Sequence, residues 1–542
     1  MLLSILTFIT VLFSACGGSS DSSNTSSASV DSKYSISYKG LYTYRNEMSR
    51  GNYKLSPLSD SEFNALKESD KLIVADKLLS SLFFGYHLST LKEKINSGTF
   101  LQTLHKELKE ERTDIAELES TIIDEQMFYR PSGETESADI LSRFYAAKEL
   151  DKYFFSNWCA YILTQTIMFS PAYELDSSHY PNISTVYNRL VNLLEDDVGM
   201  RFITYVHMSS EDNWRRFRSP EDNGREMLEI YTYDLNDAHV PVAATALKNW
   251  KLDRDYDTLV VSLNENKQPL SLFGTTIYNG DDFYREMVKS SDFTYGVVKR
   301  LVEFFFPNHN EKQIESIAQS IISSKPETWQ GILKQILFSK EYLLKTAKAK
   351  SAEETFFSLA KKVDYKTRIY TIIAFKRALD NMNQASMKYK LGKLNRVPLD
   401  TLSFANYNQF IREQVLLRYS DPKYDTNTTN YARQGWSSSF IEMENYEVDL
   451  LDGVKTLHNL INYLFELVAA REVNQEELAM FDSLMLEEKS GKIEVANPFD
   501  ILNNRLKDNG ERVGDNYARY VTYTILDYLS RIEDTYTYKK VD

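Results

Sequence analysis

Cysteine is nearly absent from this chain, with two in 542 residues, Cys16 and Cys159. That excludes a disulfide framework and a four-cysteine zinc centre. Proline (12) and glycine (19) are also sparse, which leaves long stretches free of helix breakers. Positive charge is in deficit: 63 Lys and Arg stand against 77 Asp and Glu, a net charge of −14. A general nucleic-acid binder needs a basic surface, so nucleic acid is not an expected partner. Only one long apolar run exists, at residues 2–14, which excludes a polytopic membrane protein. The motifs G-x-S-x-G, H-E-x-x-H, C-x-x-C and G-x-G-x-x-G are all missing. Gly392-Lys393 is followed by Leu394, where a phosphate loop needs Ser or Thr. None of the seven histidines pairs with another at i+3 or i+4, and Asp234-Leu235-Asn236-Asp237 lacks the glycine and closing glutamate of a calcium loop. No metal and no cofactor is expected.

What is present begins at the N-terminus. Residues 2–14 are too few to span a bilayer but have the length of a signal-peptide core. They end in Phe13-Ser14-Ala15-Cys16-Gly17-Gly18, which resembles the bacterial lipoprotein box, with Phe13 where Leu is usual. The first basic residue is Lys33, so the leader carries no Lys or Arg. The resemblance implies cleavage before Cys16, lipidation of its thiol and attachment to a membrane. Gly17 after the lipidated cysteine implies the outer membrane by the same resemblance. Eight of the sixteen residues 17–32 are serine, a composition that cannot bury enough surface to fold. As a random coil it reaches about 20–24 Å. The other thiol, Cys159, sits in an apolar stretch and reads as inert core.

Helical periodicity dominates the remainder. Leu101, Leu104, Leu108, Ile115, Leu118 and Ile122 predict one long amphipathic helix within 99–127. Asn310 with Gln313 predicts a capping box, and Pro326 a helix start leading to Trp329 and Ile332. Leu457, Leu460, Ile461, Leu464 and Leu467 form another stripe, and 517–532 a last one. Strand alternation is brief, at 34–42 and 258–261, and 419–440 reads as a long polar loop. The expected fold is a large, mainly α multi-helix globule of one body or two lobes, with minor short β. Aromatic residues reach 13%, which reads as compositional bias, with glycan stacking the functional alternative.

One constellation carries chemistry. In Ser219-Pro220-Glu221-Asp222-Asn223-Gly224-Arg225-Glu226-Met227-Leu228-Glu229-Ile230-Tyr231-Thr232, Ser219 reads as an N-cap and Pro220 as the first helical residue. Glu221, Arg225 and Glu229 fall four apart, so acids above and below are expected to clasp Arg225. Asp222 and Glu226 also fall four apart with like charge, so one needs a basic partner elsewhere or a protonated form. An apolar helix at 240–247 follows, flanked by His239 and Trp250. The cluster reads either as a carboxylate pair for acid/base work with Arg225 as clamp, or as an ion network locking helices together.

Residues 221–232 resemble the signature E-N-x-A-R-E-L-L-E-L-H-T of the uncharacterised bacterial family called domain of unknown function 1800. Leu78-Leu79-Ser80-Ser81-Leu82-Phe83-Phe84-Gly85 is similar to that family's opening segment, and Val240 to Trp250 to its D-V-to-G-W helix. The stretches 298–306 and 332–342 resemble its paired helices, and Lys350-Ser351 and Gly435-Trp436 match its K-S-P and G-W elements. The chain departs from the pattern at Asp222, Gly224, Tyr231 and His239, and Tyr161 stands where the family carries histidine after Trp158. The resemblance implies export and a partner of a second exported family, domain of unknown function 1501. The expected organisation is a signal peptide (1–15), a lipidated Cys16 and tether (16–33), a lead-in (34–69), a helical domain (70–480) and a C-terminal extension (481–542). The expected function is a cell-envelope scaffold or binding module. The alternative is an envelope hydrolase or transferase acting on a glycan or similar polymer through Asp222, Glu226 and Arg225.

Overall fold

The computed structural model describes residues 55–111, 133–168, 183–233, 237–253, 258–365, 369–382, 384, 401–416, 453–484, 486–489, 492–495 and 517–541. Cys16, the 34–42 alternation, the 419–440 stretch, Trp436 and the Ile115–to–Ile122 part of the expected long helix lie outside these residues. Among the described residues the chain is built from twenty-two α-helices and only short antiparallel strands, the mainly α globule that the periodicity predicts. No helix among them is long and apolar enough to cross a membrane.

In chain order the first helices are α1 (Asp60–Asn64), α2 (Glu68–Ser81), α3 (Leu88–Asn96), α4 (Phe100–Glu107), α5 (Gly133–Ala146), α6 (Lys152–Thr164) and α7 (Ile183–Glu195). Next come α8 (Met200–Met208), α9 (Glu211–Arg216), α10 (Pro220–Thr232) and α11 (Val240–Leu247). Two small hairpins follow, β1 (Lys251–Leu252) with β2 (Leu259–Val260) and β3 (Leu270–Leu272) with β4 (Thr275–Ile277). Then come α12 (Gly280–Lys289), α13 (Ser291–Phe305), α14 (Glu311–Ser323), α15 (Trp329–Leu337), α16 (Lys340–Leu343), β5 (Lys348–Ala349) and α17 (Ala352–Lys362). The remainder comprises α18 (Ile369–Asn381), α19 (Thr401–Ile411), α20 (Gly453–Ala469), α21 (Gln475–Leu484), the hairpin β6 (Leu486–Lys489) and β7 (Lys492–Val495), α22 (Tyr517–Leu529) and β8 (Thr537–Tyr538).

Local chemistry sets the helix ends. Asn310 and Gln313 close the expected capping box on α14. The helix expected from Pro326 starts three residues later, because Thr328 caps α15 by accepting from the Gly331 amide. The long helix expected within 99–127 ends at Glu107. Leu108 is buried there, and the Glu110 carbonyl accepts from the Lys152 amide at 2.9 Å, so the chain turns towards α6. The 258–261 alternation forms only the two-residue β2.

Helices α2, α5, α6 and α17 meet around an aromatic box. Phe83, Phe144, Tyr161 and Phe357 stand with ring centroids 5.2–6.0 Å apart. Trp158 Nε1 donates to the Ser81 carbonyl at 2.8 Å, pinning α6 to the end of α2. Cys159 is fully buried beside it, as an inert core residue should be. Gly85 then lies so near α17 that a Cβ would sit 2.2 Å from the Ser358 carbonyl oxygen. The first and last described segments both dock on 339–349: Pro57 bridges Ser339, and β8 pairs antiparallel with β5, Lys348 opposite Tyr538.

Helix α13 packs on α10 at Gly296, where a Cβ would lie 2.5 Å from the Tyr231 carbonyl oxygen. An open helical Gly→Ala change stabilises by about 1 kcal/mol. Gly296→Ala is expected to do the opposite, losing about 1–3 kcal/mol through overpacking, read as a lower urea midpoint. An unchanged or higher midpoint would show that this contact yields freely.

Candidate functional site

The motif helix α10 begins as its sequence dictates. The Ser219 hydroxyl accepts from the Asp222 amide at 3.1 Å, and Pro220 occupies the first turn. Asn223, Gly224, Met227, Leu228, Ile230, Tyr231 and Thr232 are buried, and the charged residues point outward. Arg225 is bound by Glu221 (Nη2 to Oε1, 3.2 Å) and by the Asp237 carboxylate, not by Glu229. Tyr233 takes a left-handed conformation (φ 58°) that ends the helix, and the chain beyond it brings Asp237 back to the guanidinium.

Glu229 contributes its backbone instead. Its carbonyl and that of Ile230 accept from Arg300 at 2.8 and 2.9 Å, tying α10 to α13. Asp222 and Glu229 are exposed and Glu226 is half-buried. Asn223 accepts from Tyr284 at 2.6 Å, and the Tyr284 oxygen accepts from Trp214 Nε1 at 3.1 Å. Trp250 stacks on Trp214 and donates to the Ser262 carbonyl at 3.1 Å. His239 lies at the other end of α11, its ring 4.6 Å from that of Phe273. With about 1.5 Å of rise per residue, α11 holds His239 and Trp250 more than 10 Å apart. The structure therefore joins Glu221 to Arg225, leaves Asp222 and Glu229 in solvent, and keeps His239 and Trp250 separate.

A dense buried polar cluster lies elsewhere among the described residues, between α2, α16, β5, α17 and β8. Asp76 is its centre and is 3% exposed. Its Oδ1 accepts from Ser80 (3.1 Å), Tyr86 (3.0 Å) and Lys362, and its Oδ2 from Lys350 (3.3 Å). Lys348 pairs with Glu354 Oε1 at 3.2 Å, while Glu354 Oε2 accepts from the Ser351 amide and closes a capping box. Lys77 donates to the carbonyls of Leu343 (3.4 Å) and Thr346. Ser81 and Tyr342 share a hydrogen bond at 2.6 Å, and Tyr161 donates to Glu353 at 2.6 Å. Tyr538 covers the group, with Lys350 5.1 Å from its ring centroid.

The sequence held one signal for this cluster. Asp76, Lys77, Ser80 and Ser81 occupy positions on α2 that face the core, where a helical stripe calls for apolar residues. The segments 78–85, 332–342 and Lys350-Ser351 converge here. Periodicity alone does not reveal such a meeting.

Burial alone would raise the Asp76 carboxyl. Lys350 and Lys362 outweigh it and hold the group well below the usual carboxylate range. Burial pushes Lys77 down to about 7, and neighbouring Lys348 adds to that while Glu354 opposes it. Burial also lowers Lys348, but Glu354 and Tyr342 reverse the sign and raise it. Asp76, Lys348, Lys350, Glu354 and Lys362 are ion-paired and Lys77 is held by backbone carbonyls, so the arrangement is chemically a lock joining distant segments. Among the described residues no group of three or more His, Cys, Asp or Glu is placed to hold a metal ion. No protein-family model, curated protein or solved structure matches the chain.

Asp76→Asn strands two buried lysines and is expected to destabilise by about 3–5 kcal/mol, whereas Arg225→Ala, on the exposed face of α10, is expected to cost far less. Denaturant unfolding of both variants checks the ranking, and equal losses would refute it. Lys77 binds its proton less readily folded (about 7) than unfolded (10.5), so the penalty is full below about 7 and fades as pH rises towards 10.5. Lys348, Glu354, Tyr342 and Tyr538 face it. Between pH 7 and 9 the wild type should gain about 2 kcal/mol relative to Lys77→Met in urea unfolding. A difference independent of pH would contradict the assignment.

Proposed function

We propose that this chain is a cell-envelope lipoprotein, lipidated at Cys16, whose helical body is a scaffold or binding module acting with an exported partner. The observation that supports it most is the use made of the motif helix. Arg225, the group best suited to clamp a ligand, is engaged by Glu221 and Asp237. The buried groups Asn223 and Tyr231 and the carbonyls of Glu229 and Ile230 join α10 to its neighbours. The buried charges around Asp76 are paired in the same manner. These are the marks of a body held in one shape. The lipoprotein box and serine-rich tether supply the envelope address, and the resemblance to domain of unknown function 1800 supplies the partner class, a protein of the domain of unknown function 1501 family.

The test is recovery of the native chain from crosslinked envelopes, followed by mass spectrometry of protein and glycan. One stoichiometric protein partner, retained by Asp222→Asn and Glu226→Gln variants, is the expected result. Recovery of glycan fragments without a protein, together with turnover lost in those variants while folding stays intact, would replace this reading by the polymer-acting hydrolase or transferase.

A further inference from the structure

The charges around Asp76 do not sum to zero. Four ammonium groups, Lys77, Lys348, Lys350 and Lys362, meet two carboxylates, Asp76 and Glu354, and none of the six side chains is more than 8% exposed. Lys348 pairs with Glu354, and Asp76 serves Lys350 and Lys362 together. Lys77 pairs with neither carboxylate; its ammonium donates to the carbonyls of Leu343 and Thr346. The remaining carboxylates of α16 and α17 are turned to other groups, Glu341 to Lys345 at 3.4 Å and Glu353 to Tyr161 at 2.6 Å. Positive charge is thus in surplus here, inside a chain whose net charge is −14.

Hydrogen-bond donors are in surplus too. An ammonium carries three N–H donors and no acceptor. The Tyr538 hydroxyl is buried without a hydrogen-bond partner, on a residue 3% exposed. Ser81 and Tyr342 share a single hydrogen bond, so one of their two hydroxyl protons is left over. Asp76 Oδ1 already takes donors from Ser80, Tyr86 and Lys362, so it cannot supply the missing acceptor. These groups lie together. Lys77 is 5.2 Å from the Tyr342 ring centroid and 5.9 Å from that of Tyr538, and Lys348 is 5.7 Å from both. Lys350 approaches the Tyr538 ring as well, at 5.1 Å. Burial, and then the neighbouring charge of Lys348, push Lys77 down to about 7, and Glu354 offsets them only in part.

We infer that the cluster encloses a small monovalent anion, held between the Lys77 and Lys348 ammonium groups and the Tyr538 hydroxyl. An anion supplies both things the site lacks, negative charge and acceptor capacity, whereas a water or a neutral ligand brings no charge. The buried Tyr342 and Tyr538 rings close over the space, which favours an ion of the size of chloride over one of the size of phosphate. Because the cluster is shut off from solvent, the ion is taken up as the chain folds, and it stabilises the folded state by mass action. Its binding is linked to pH. The anion is held best when Lys77 carries its proton, below about pH 7, and less well as the amine neutralises above that. The groups facing Lys77 are Tyr342 on α16, Lys348 on β5, Glu354 on α17 and Tyr538 on β8, with Asp76 beside it on α2. The pH contrast between wild type and Lys77→Met therefore belongs to halide-free buffer, and bound chloride flattens it.

The probe is chloride, exchanged for gluconate at constant ionic strength so that screening of the net −14 charge stays fixed. The full chain in detergent is unfolded in urea at about pH 6 and about pH 9. At the lower pH the wild-type midpoint should rise with the logarithm of chloride concentration, and at the higher pH the rise should shrink. Tyr538→Phe keeps the ring and removes the hydroxyl. It should weaken chloride binding about tenfold, the value of one hydrogen bond to a charged group. Bromide should bind in the same place and give an anomalous diffraction peak between Lys77, Lys348 and Tyr538. A wild-type midpoint that ignores chloride would overturn the inference. So would a rise that Tyr538→Phe retains in full, a rise as large at the higher pH, or a bromide peak away from these three groups.

Discussion

An ionised carboxylate inside a helical body is tolerated only when cations come with it, and Asp76 sets that condition for this fold. Isolated, its burial would cost several kcal/mol. The chain meets the condition from far away in sequence: Lys350 lies 274 residues downstream and Lys362 lies 286. Bringing those amines to α2 fixes the path of 343–351. That path places β5 where β8 can pair with it, so the C-terminal strand docks over the same cluster. Gly85 permits the close approach of α17 that carries Lys362 inward. One buried charge thus organises the meeting of the early helices, the middle of the chain and its end.

The motif helix α10 shows the same economy at its other contacts. Its inner face meets α13 through backbone, with Gly296 against the Tyr231 carbonyl and Arg300 gripping the carbonyls of Glu229 and Ile230. Its polar core residue Asn223 is reached through Tyr284 from Trp214. The Asn223 oxygen and the Arg300 guanidinium are satisfied in this arrangement of the helices, which favours it over others, while Asn223 Nδ2 and the Tyr231 hydroxyl are buried without a hydrogen-bond partner. The surface pair of Arg225 with Glu221 and Asp237 contributes little stability and mainly fixes the chain after Tyr233.

Much of this was legible in the sequence, for local reasons. Ser219, Pro220, Asn310 and Gln313 act within one helical turn, so their caps could be read directly. The apolar helix 240–247 has the bounds its sequence predicts, because its pattern is unbroken and its ends are marked by His239 and Lys248. What failed was non-local. Spacing offered Glu229 as the second acid on Arg225, whereas a chain reversal at Tyr233 delivered Asp237. Leu108 fitted a long stripe, yet it ends α4 because the chain there turns towards α6. The Asp76 cluster joins residues whose partnership depends on the whole fold, and only the odd polar face of α2 hinted at it.

The burial and pairing of the charges around Asp76 make them a lock closed to solvent. Amine acylation of the native chain, with each lysine followed by mass spectrometry, tests it most directly. Lys77, Lys348, Lys350 and Lys362 should remain unmodified until the chain unfolds globally, while exposed Lys106, with 78% of its side chain in solvent, reacts at once. With its proton affinity lowered to about 7, Lys77 would be a fast nucleophile if solvent reached it. Rapid modification of Lys77 in the folded protein would contradict the account and mark the cluster as a reactive site.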